Sequence, residues 1–219
     1  MLGRSVEKLE KIKASLNQFN SNIEIFAFDV LEEGIPPNLT DRLVSDSDPI
    51  DICVHAIGGL NHLISESSWE SYEKAMFLNL GFSHVINQLI TPNMIKNNSG
   101  KIVHISSMVT KASNGNSPYV IAKSAIEKYV ESYSMAISEK CTKININCIS
   151  PGPINVPGKG LSRLSIEDQM GLLDWLNSHR VLAKRLGRID EVVKVVDFLC
   201  GDGSDFMYGS NIRLDGGGV

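Results

Sequence analysis

The 219 residues of this chain suffice for one domain with a sizeable core and are short for two. Hydrophobic residues make up 42% and charged residues 21%, and the net charge of −4 comes with no lysine or arginine stripe, which excludes a nucleic-acid partner. No apolar run is long enough to span a membrane. The start (Met1-Leu2-Gly3-Arg4) lacks the apolar region of a signal peptide, and the four cysteines form no CxxC pair, so a cytoplasmic protein with reduced thiols is expected.

Val6, Leu9, Ile12 and Leu16 recur at spacings of three and four, which marks an amphipathic helix over about 4–19. Lys8, Lys11 and Lys13 alternate with Glu7 and Glu10 on it, the mixture of a solvated helix face. The apolar stretch 23–28, closed by Asp29, reads as a strand, and a short helical stretch over 39–44 leads to a strand over 51–54. A long helical pattern covers 69–96, interrupted or kinked at Pro92. A strand at 102–105, a helix at 119–138 and a strand at 144–149 follow, before Pro151-Gly152-Pro153 turns the chain. The segment 154–179 holds short helical pieces such as 166–175; then come a helix over 190–199 and a strand over 211–214. Strands alternating with helices imply an α/β doubly wound parallel sheet, whose ligands sit at the carboxyl ends of the strands.

Three features fall at such ends. Ser106-Ser107 follows the strand 102–105, Tyr119-Val120-Ile121-Ala122-Lys123 opens the next helix, and Pro151-Gly152 follows the strand after that. Residues four apart on a helix share a face, so the Lys123 ammonium stands beside the Tyr119 phenol and is expected to lower its pKa from about 10. Such a phenol exchanges a proton with a carbonyl or alcohol oxygen near neutral pH, and a neighbouring serine hydroxyl orients that oxygen. Taken singly the elements have plainer readings: a surface Tyr-Lys pair, and a serine pair that caps a turn.

Together, Gly100-Lys101-Ile102-Val103-His104-Ile105-Ser106-Ser107, Tyr119-xxx-Lys123, Asn147-Cys148-Ile149-Ser150-Pro151-Gly152, Arg185-Leu186-Gly187-Arg188 and Tyr208-Gly209-Ser210 to Asp215-Gly216-Gly217 resemble the short-chain dehydrogenase/reductase family. The resemblance runs over essentially the whole chain and implies a Rossmann-like sheet and a single domain over 1–219. It implies Tyr119 as the acid/base, Lys123 as the residue that holds the nicotinamide ribose, and Ser107 as the substrate-orienting serine. The twelve residues from Ser107 to Tyr119, where the family often has thirteen, keep Ser106 as a second candidate. Asn79 matches the asparagine that supports a water in the proton relay; its plainer reading is a helix asparagine filling a kink. Asp29 and Val30 match the adenine contacts, Gly58 the glycine after the fourth strand, Pro151 and Gly152 the turn at the cofactor, and Ile154 the contact to the nicotinamide carboxamide.

Some positions depart. His55-Ala56-Ile57-Gly58 stands where the family has Asn-Asn-Ala-Gly, with His55 able to replace the hydrogen bonding of an asparagine. Val156 replaces a threonine near the pyrophosphate, and His104 replaces a frequent asparagine as a plain strand residue. The family's first two strands and glycine-rich phosphate loop find no match, so the fold is expected to be incomplete at its N-terminus. The glycines there would let backbone N–H groups reach the pyrophosphate at a helix N-terminus. The stretch 23–28 is then expected to lack a sheet neighbour and 51–54 to form an exposed apolar edge, which a partner would cover or which marks a piece of a longer protein. Gly3-Arg4 resembles the tail of the second strand, where an arginine neutralises a 2′-phosphate and favours NADP(H) over NAD(H). Two functions follow: an NAD(P)-dependent oxidoreductase acting on a small-molecule carbonyl or secondary alcohol, or a catalytically inactive remnant acting as a binding partner. The resemblance also implies a homo-oligomer built on the helices 69–96 and 119–138. The apolar segment 155–180, which contains Leu161, Leu164, Met170, Leu172, Leu173 and Trp175, is expected to form a substrate lid.

Overall fold

The structure, a computed structural model, describes residues 1–19, 22–32, 34–59, 68–111, 117–157, 161, 163 and 168–218. Among the described residues six strands, all parallel, form a two-stranded and a four-stranded sheet. In the first, β1 (Leu2–Gly3) pairs with β2 (Phe26–Ala27), joined by α1 (Val6–Leu16). Phe26 and Phe28 donate their N–H groups to the carbonyls of Met1 and Gly3 at 2.8 and 3.1 Å. The segment 23–28 therefore has a sheet neighbour, contrary to expectation: the extended residues Leu2–Gly3 pair with Phe26–Ala27.

The second sheet has the order β3 (Ile52–His55), β4 (Gly100–Ile105), β5 (Ile144–Pro151), β6 (Asn211–Leu214). Alternate side chains go to opposite faces. On one face Ile102, Ile144, Ile146 and Cys148 join the main core with α2 (Pro37–Leu43), α4 (Phe82–Asn97) and α5 (Ser117–Ser138). On the other, Val103 and Ile149 pack against Leu199 of α7 (Ile189–Cys200). Doubly wound packing of this kind explains why β5 reads as an uninterrupted buried run, from Ile144 to Ser150. The edge strand β3 leaves Ile52 and Val54 nearly half exposed, the apolar edge that was expected. Between β3 and the β1–β2 pair lies an open groove of about 830 Å³, lined by Leu2, Phe26, Cys53, His55, Phe82 and Ile86 among others.

The helical pattern of 69–96 breaks where no proline stands. α3 (Trp69–Met76) passes through one π-type turn at Phe77–Gly81 into α4, while Pro92 lies inside α4 without ending it. The cause is Asn79: its Nδ2 donates to the Ala75 carbonyl at 2.8 Å, competing for the acceptor of its own helical turn. One-turn π bulges of this sort widen the helix locally and recur at functional sites. All four cysteines are free thiols, with Cys141 and Cys148 buried. Among the described residues no helix is long and apolar enough to cross a membrane.

Candidate functional site

The C-terminal ends of β3 and β4 bring Asn79, Ser107, Tyr119, Lys123 and Gly58 together. Ser107 follows β4 and starts a single 3₁₀ turn (Met108–Thr110), its Oγ accepting from the Val109 N–H at 3.4 Å. Its hydroxyl acts on the Tyr119 phenol from hydrogen-bonding range and lowers the phenol's pKa. Lys123, one helical turn on, is buried; its Nζ lies 5.7 Å from the Tyr119 ring centre and donates to the Ile105 carbonyl at 2.7 Å. Asn79 Nδ2 also donates to the Gly59 carbonyl at 3.1 Å, and Asn79 Oδ1 accepts from the Gly59 N–H at 3.3 Å, so the asparagine clasps the loop after β3. A Cβ on Gly58 would stand 2.6 Å from Asn79 Oδ1 and 3.1 Å from Lys123 Nζ. Only glycine fits there.

The geometry separates the two serines. Ser106 is buried and turned into α5, 3.1 Å from both the Lys123 carbonyl and Glu127 Oε1, whereas Ser107 meets the phenol. Sequence spacing could not give this, because the rotation of the chain after β4 is set by the turn.

Electrostatics correct one expectation. Burial pushes the Tyr119 phenol up from its ordinary value, and the Ser107 hydrogen bond only partly opposes this. Burial lowers Lys123 to about 8. The ammonium, held on the Ile105 carbonyl rather than on the phenol oxygen, does not outweigh the desolvation of the tyrosine.

The other expected cofactor residues lie at neighbouring strand ends. Arg4, after β1, sits 3.4 Å from Asp29, after β2; Asp29 Oδ1 accepts from the Leu31 N–H at 2.9 Å, and Val30 is buried. Pro151 ends β5, and a Cβ on Gly152 would strike the Asp215 Cα at 2.6 Å, so this turn packs backbone on backbone. Ile154 forms a parallel bridge with Gly187. Of the lid stretch, α6 (Gln169–Ser178) is described; Leu161, Leu172 and Trp175 pack against Leu176, Val181 and Leu186, while Met170 and Leu173 face outward. Leu164 lies outside the described residues.

Two features escaped the sequence reading. His55 Nε2 pairs with Asn87 Oδ1 at 2.7 Å, and Asn87 Nδ2 reaches His104 Nε2 at 3.3 Å and Tyr129 OH at 3.1 Å. His104 is thus part of a buried polar network rather than a plain strand residue. Burial holds His55 down at about 4 and His104 well below the usual histidine range, with His55 and Lys123 adding to the depression of His104. The second feature is Glu127, on which three hydroxyls converge. Its signal was available: Glu127 continues the four-residue spacing of Tyr119 and Lys123. Among the described residues no cluster of three or more His, Cys, Asp or Glu is placed to hold a metal ion.

Known proteins resemble this chain in sequence and in fold. The family described as Enoyl-(Acyl carrier protein) reductase matches residues 2–218. The 3-oxoacyl-[acyl-carrier-protein] reductase FabG of Chlamydia trachomatis is 28% identical over 202 residues, covering 91% of this chain and 78% of that protein. NAD+-bound xylitol dehydrogenase superposes with a TM-score of 0.82 at 25% identity, over 99% of this chain and 87% of the other. L-sorbose reductase from Gluconobacter frateurii, solved with NADPH and L-sorbose, shares the fold with a TM-score of 0.86 at 23% identity, over 100% of this chain and 85% of the other. The chain belongs to the short-chain dehydrogenase/reductase family of NAD(P)-dependent oxidoreductases.

Proposed function

We propose that this chain interconverts a carbonyl and a secondary alcohol with NADP(H) as hydride carrier, using Ser107, Tyr119 and Lys123. The observation that carries the reading is the meeting of a hydroxyl, a phenol and a buried ammonium at the end of β4. The assembled trio supports an enzyme over an inactive binding partner.

The residues at this end fit a nicotinamide nucleoside. Lys123 has three N–H donors, one of which is taken by the Ile105 carbonyl, so it can also hold ribose hydroxyls. Gly58 lets a ligand approach Asn79 and Lys123 without a side chain between them. Pro151, Gly152 and Ile154 would frame the carboxamide, Asp29 and Val30 the adenine, and Arg4 a 2′-phosphate. When bound, the cofactor supplies or accepts the hydride. Tyr119 gives its proton to the carbonyl oxygen in reduction and takes one back in oxidation. Ser107 donates to the same oxygen and holds it within reach of the phenol. Lys123 places positive charge behind Tyr119 and favours the phenolate form as the proton leaves. Asn79, through the π turn and the Gly59 clasp, fixes the loop that carries Gly58.

We read the groove between β1 and β3 as the seat of a further parallel strand and its phosphate-binding turn. The outward Met170 and Leu173 of α6 support a lipophilic ketone or acyl substrate. A homo-oligomer through α4 and α5 and a cytoplasmic location belong to the same reading.

Fluorescence titration of the folded chain with NADPH and with NADH tests the cofactor assignment. Saturable binding is expected, tighter for NADPH, with Arg4→Ala removing the difference. Absence of binding by a chain with native circular dichroism would overturn it.

A further inference from the structure

Glu127 stands on α5 one turn beyond Lys123, in the stripe Tyr119, Lys123, Glu127 that faces the ends of β4 and β5. Its Oε1 lies 3.1 Å from Ser106 Oγ, 2.8 Å from Thr110 Oγ1 and 2.8 Å from Ser150 Oγ. These hydroxyls come from three places that the chemistry needs held still. Ser106 adjoins Ser107, Thr110 closes the turn that Ser107 opens, and Ser150 precedes Pro151-Gly152. Thr110 Oγ1 also lies 3.1 Å from the Ser107 carbonyl, which is the alternative acceptor for the same proton and keeps the threonine against the Ser107 backbone. Each hydroxyl has a single proton and a second acceptor in reach: the Lys123 carbonyl for Ser106, the Ser107 carbonyl for Thr110 and Asn211 Oδ1 for Ser150. The Glu127 carboxylate is the acceptor all three share, and its charge makes it the stronger one.

We propose that Glu127 is a positioning residue: it fastens the Ser107 turn and the end of β5 to the helix that carries Tyr119 and Lys123, and thereby sets the Ser107–Tyr119 geometry. This inference rests on the oxidoreductase reading above. Small misplacement of such a group is expensive, since a shift of about 1 Å can slow a reaction about 100-fold. The side chain touches no reacting atom, so its loss is expected in kcat rather than in cofactor affinity.

The test uses Glu127→Leu, Glu127→Gln and Thr110→Val in the full chain. Two measurements are made: steady-state reduction of acetoacetyl thioester and cyclohexanone by NADPH, and amide hydrogen exchange followed by mass spectrometry. Glu127→Leu is expected to lower kcat by about 30-fold with KM for NADPH within about twofold, and to speed exchange in 106–111 and 150–152. Glu127→Gln, which keeps an acceptor oxygen, recovers most of the rate, and Thr110→Val loses about fivefold. Wild-type kcat in Glu127→Leu, or unchanged exchange in 106–111, overturns the proposal. If Glu127→Leu fails to fold, Thr110→Val decides by the same two criteria. If the wild type binds NADPH but turns over neither carbonyl, the substrate reading fails, and exchange alone judges Glu127.

Discussion

Lys123 Nζ donates to the Ile105 carbonyl at 2.7 Å, which anchors the ammonium to the end of β4 while keeping it 5.7 Å from the centre of the Tyr119 ring. The lysine is therefore held by the sheet and not by a carboxylate. That leaves its charge uncompensated in a buried place, and its pKa falls to about 8 from the ordinary 10.5.

The depressed pKa makes a stability prediction. Between pH 8 and 10.5 the unfolded chain binds more protons at this site than the folded one, so the Lys123 contribution becomes more favourable as pH rises through that window. Comparing urea unfolding of the wild type with Lys123→Met isolates this effect from the other titrating groups. The difference is expected to move in favour of the wild type by up to about 3 kcal/mol from pH 8 to pH 10.5. A difference independent of pH would mean that the ammonium is not desolvated.

Ser107 is expected to tune Tyr119 as well as the substrate. Burial raises the phenol and the serine hydrogen bond lowers it, so Ser107→Ala leaves burial unopposed. In the alcohol-oxidation direction Tyr119 must accept a proton, and the rising limb of the kcat/KM profile should move to higher pH. A limb that stays in place would remove Ser107 from the proton path.

Asn79 makes three hydrogen bonds in a buried setting, to Ala75 and twice to Gly59. Asn79→Ala should destabilise the chain by about 2 kcal/mol through the buried groups it strands. It should also speed hydrogen exchange in the π turn at Phe77–Gly81. Stability within about 0.5 kcal/mol of the wild type would show that the turn forms without the side chain.

His55 gives the acid side of the profile. Its folded pKa of about 4 lies below the ordinary 6.5, so the unfolded chain takes up protons that the folded one refuses, and stability falls as pH drops from 6.5 towards 4. His55→Asn keeps a donor for Asn87 and has no charge to gain, so its urea midpoint should fall less between pH 7 and pH 4.5. An equal fall in both proteins would place the acid sensitivity elsewhere.

Much of the fold was legible because its signals are local. The strand at 211–214 and the helix at 190–199 stand where alternation and periodicity put them, and Tyr119 and Lys123 share a helix face as their spacing requires. β1 stands where the family resemblance put the tail of a strand at Gly3-Arg4; no periodicity could show it, since it has two residues, and its pairing with Phe26 and Ala27 defines it. The helix break was sought at the proline, but a side chain–backbone bond at Asn79 made it. The Tyr119 shift had the wrong sign because neighbouring charge can be read from spacing, while desolvation depends on everything packed around the ring. The His55–Asn87–His104 contact joins two strands and a helix, a juxtaposition that no local pattern encodes.

The central claim, that Tyr119 carries the proton in a nicotinamide-dependent carbonyl reduction, is tested most directly by NADPH oxidation. The wild type and Tyr119→Phe would be compared against a panel of acyl, cyclic and sugar ketones. Turnover of at least one ketone by the wild type is expected, with a loss of about 1,000-fold in Tyr119→Phe at unchanged thermal stability. Equal turnover by both proteins would contradict it.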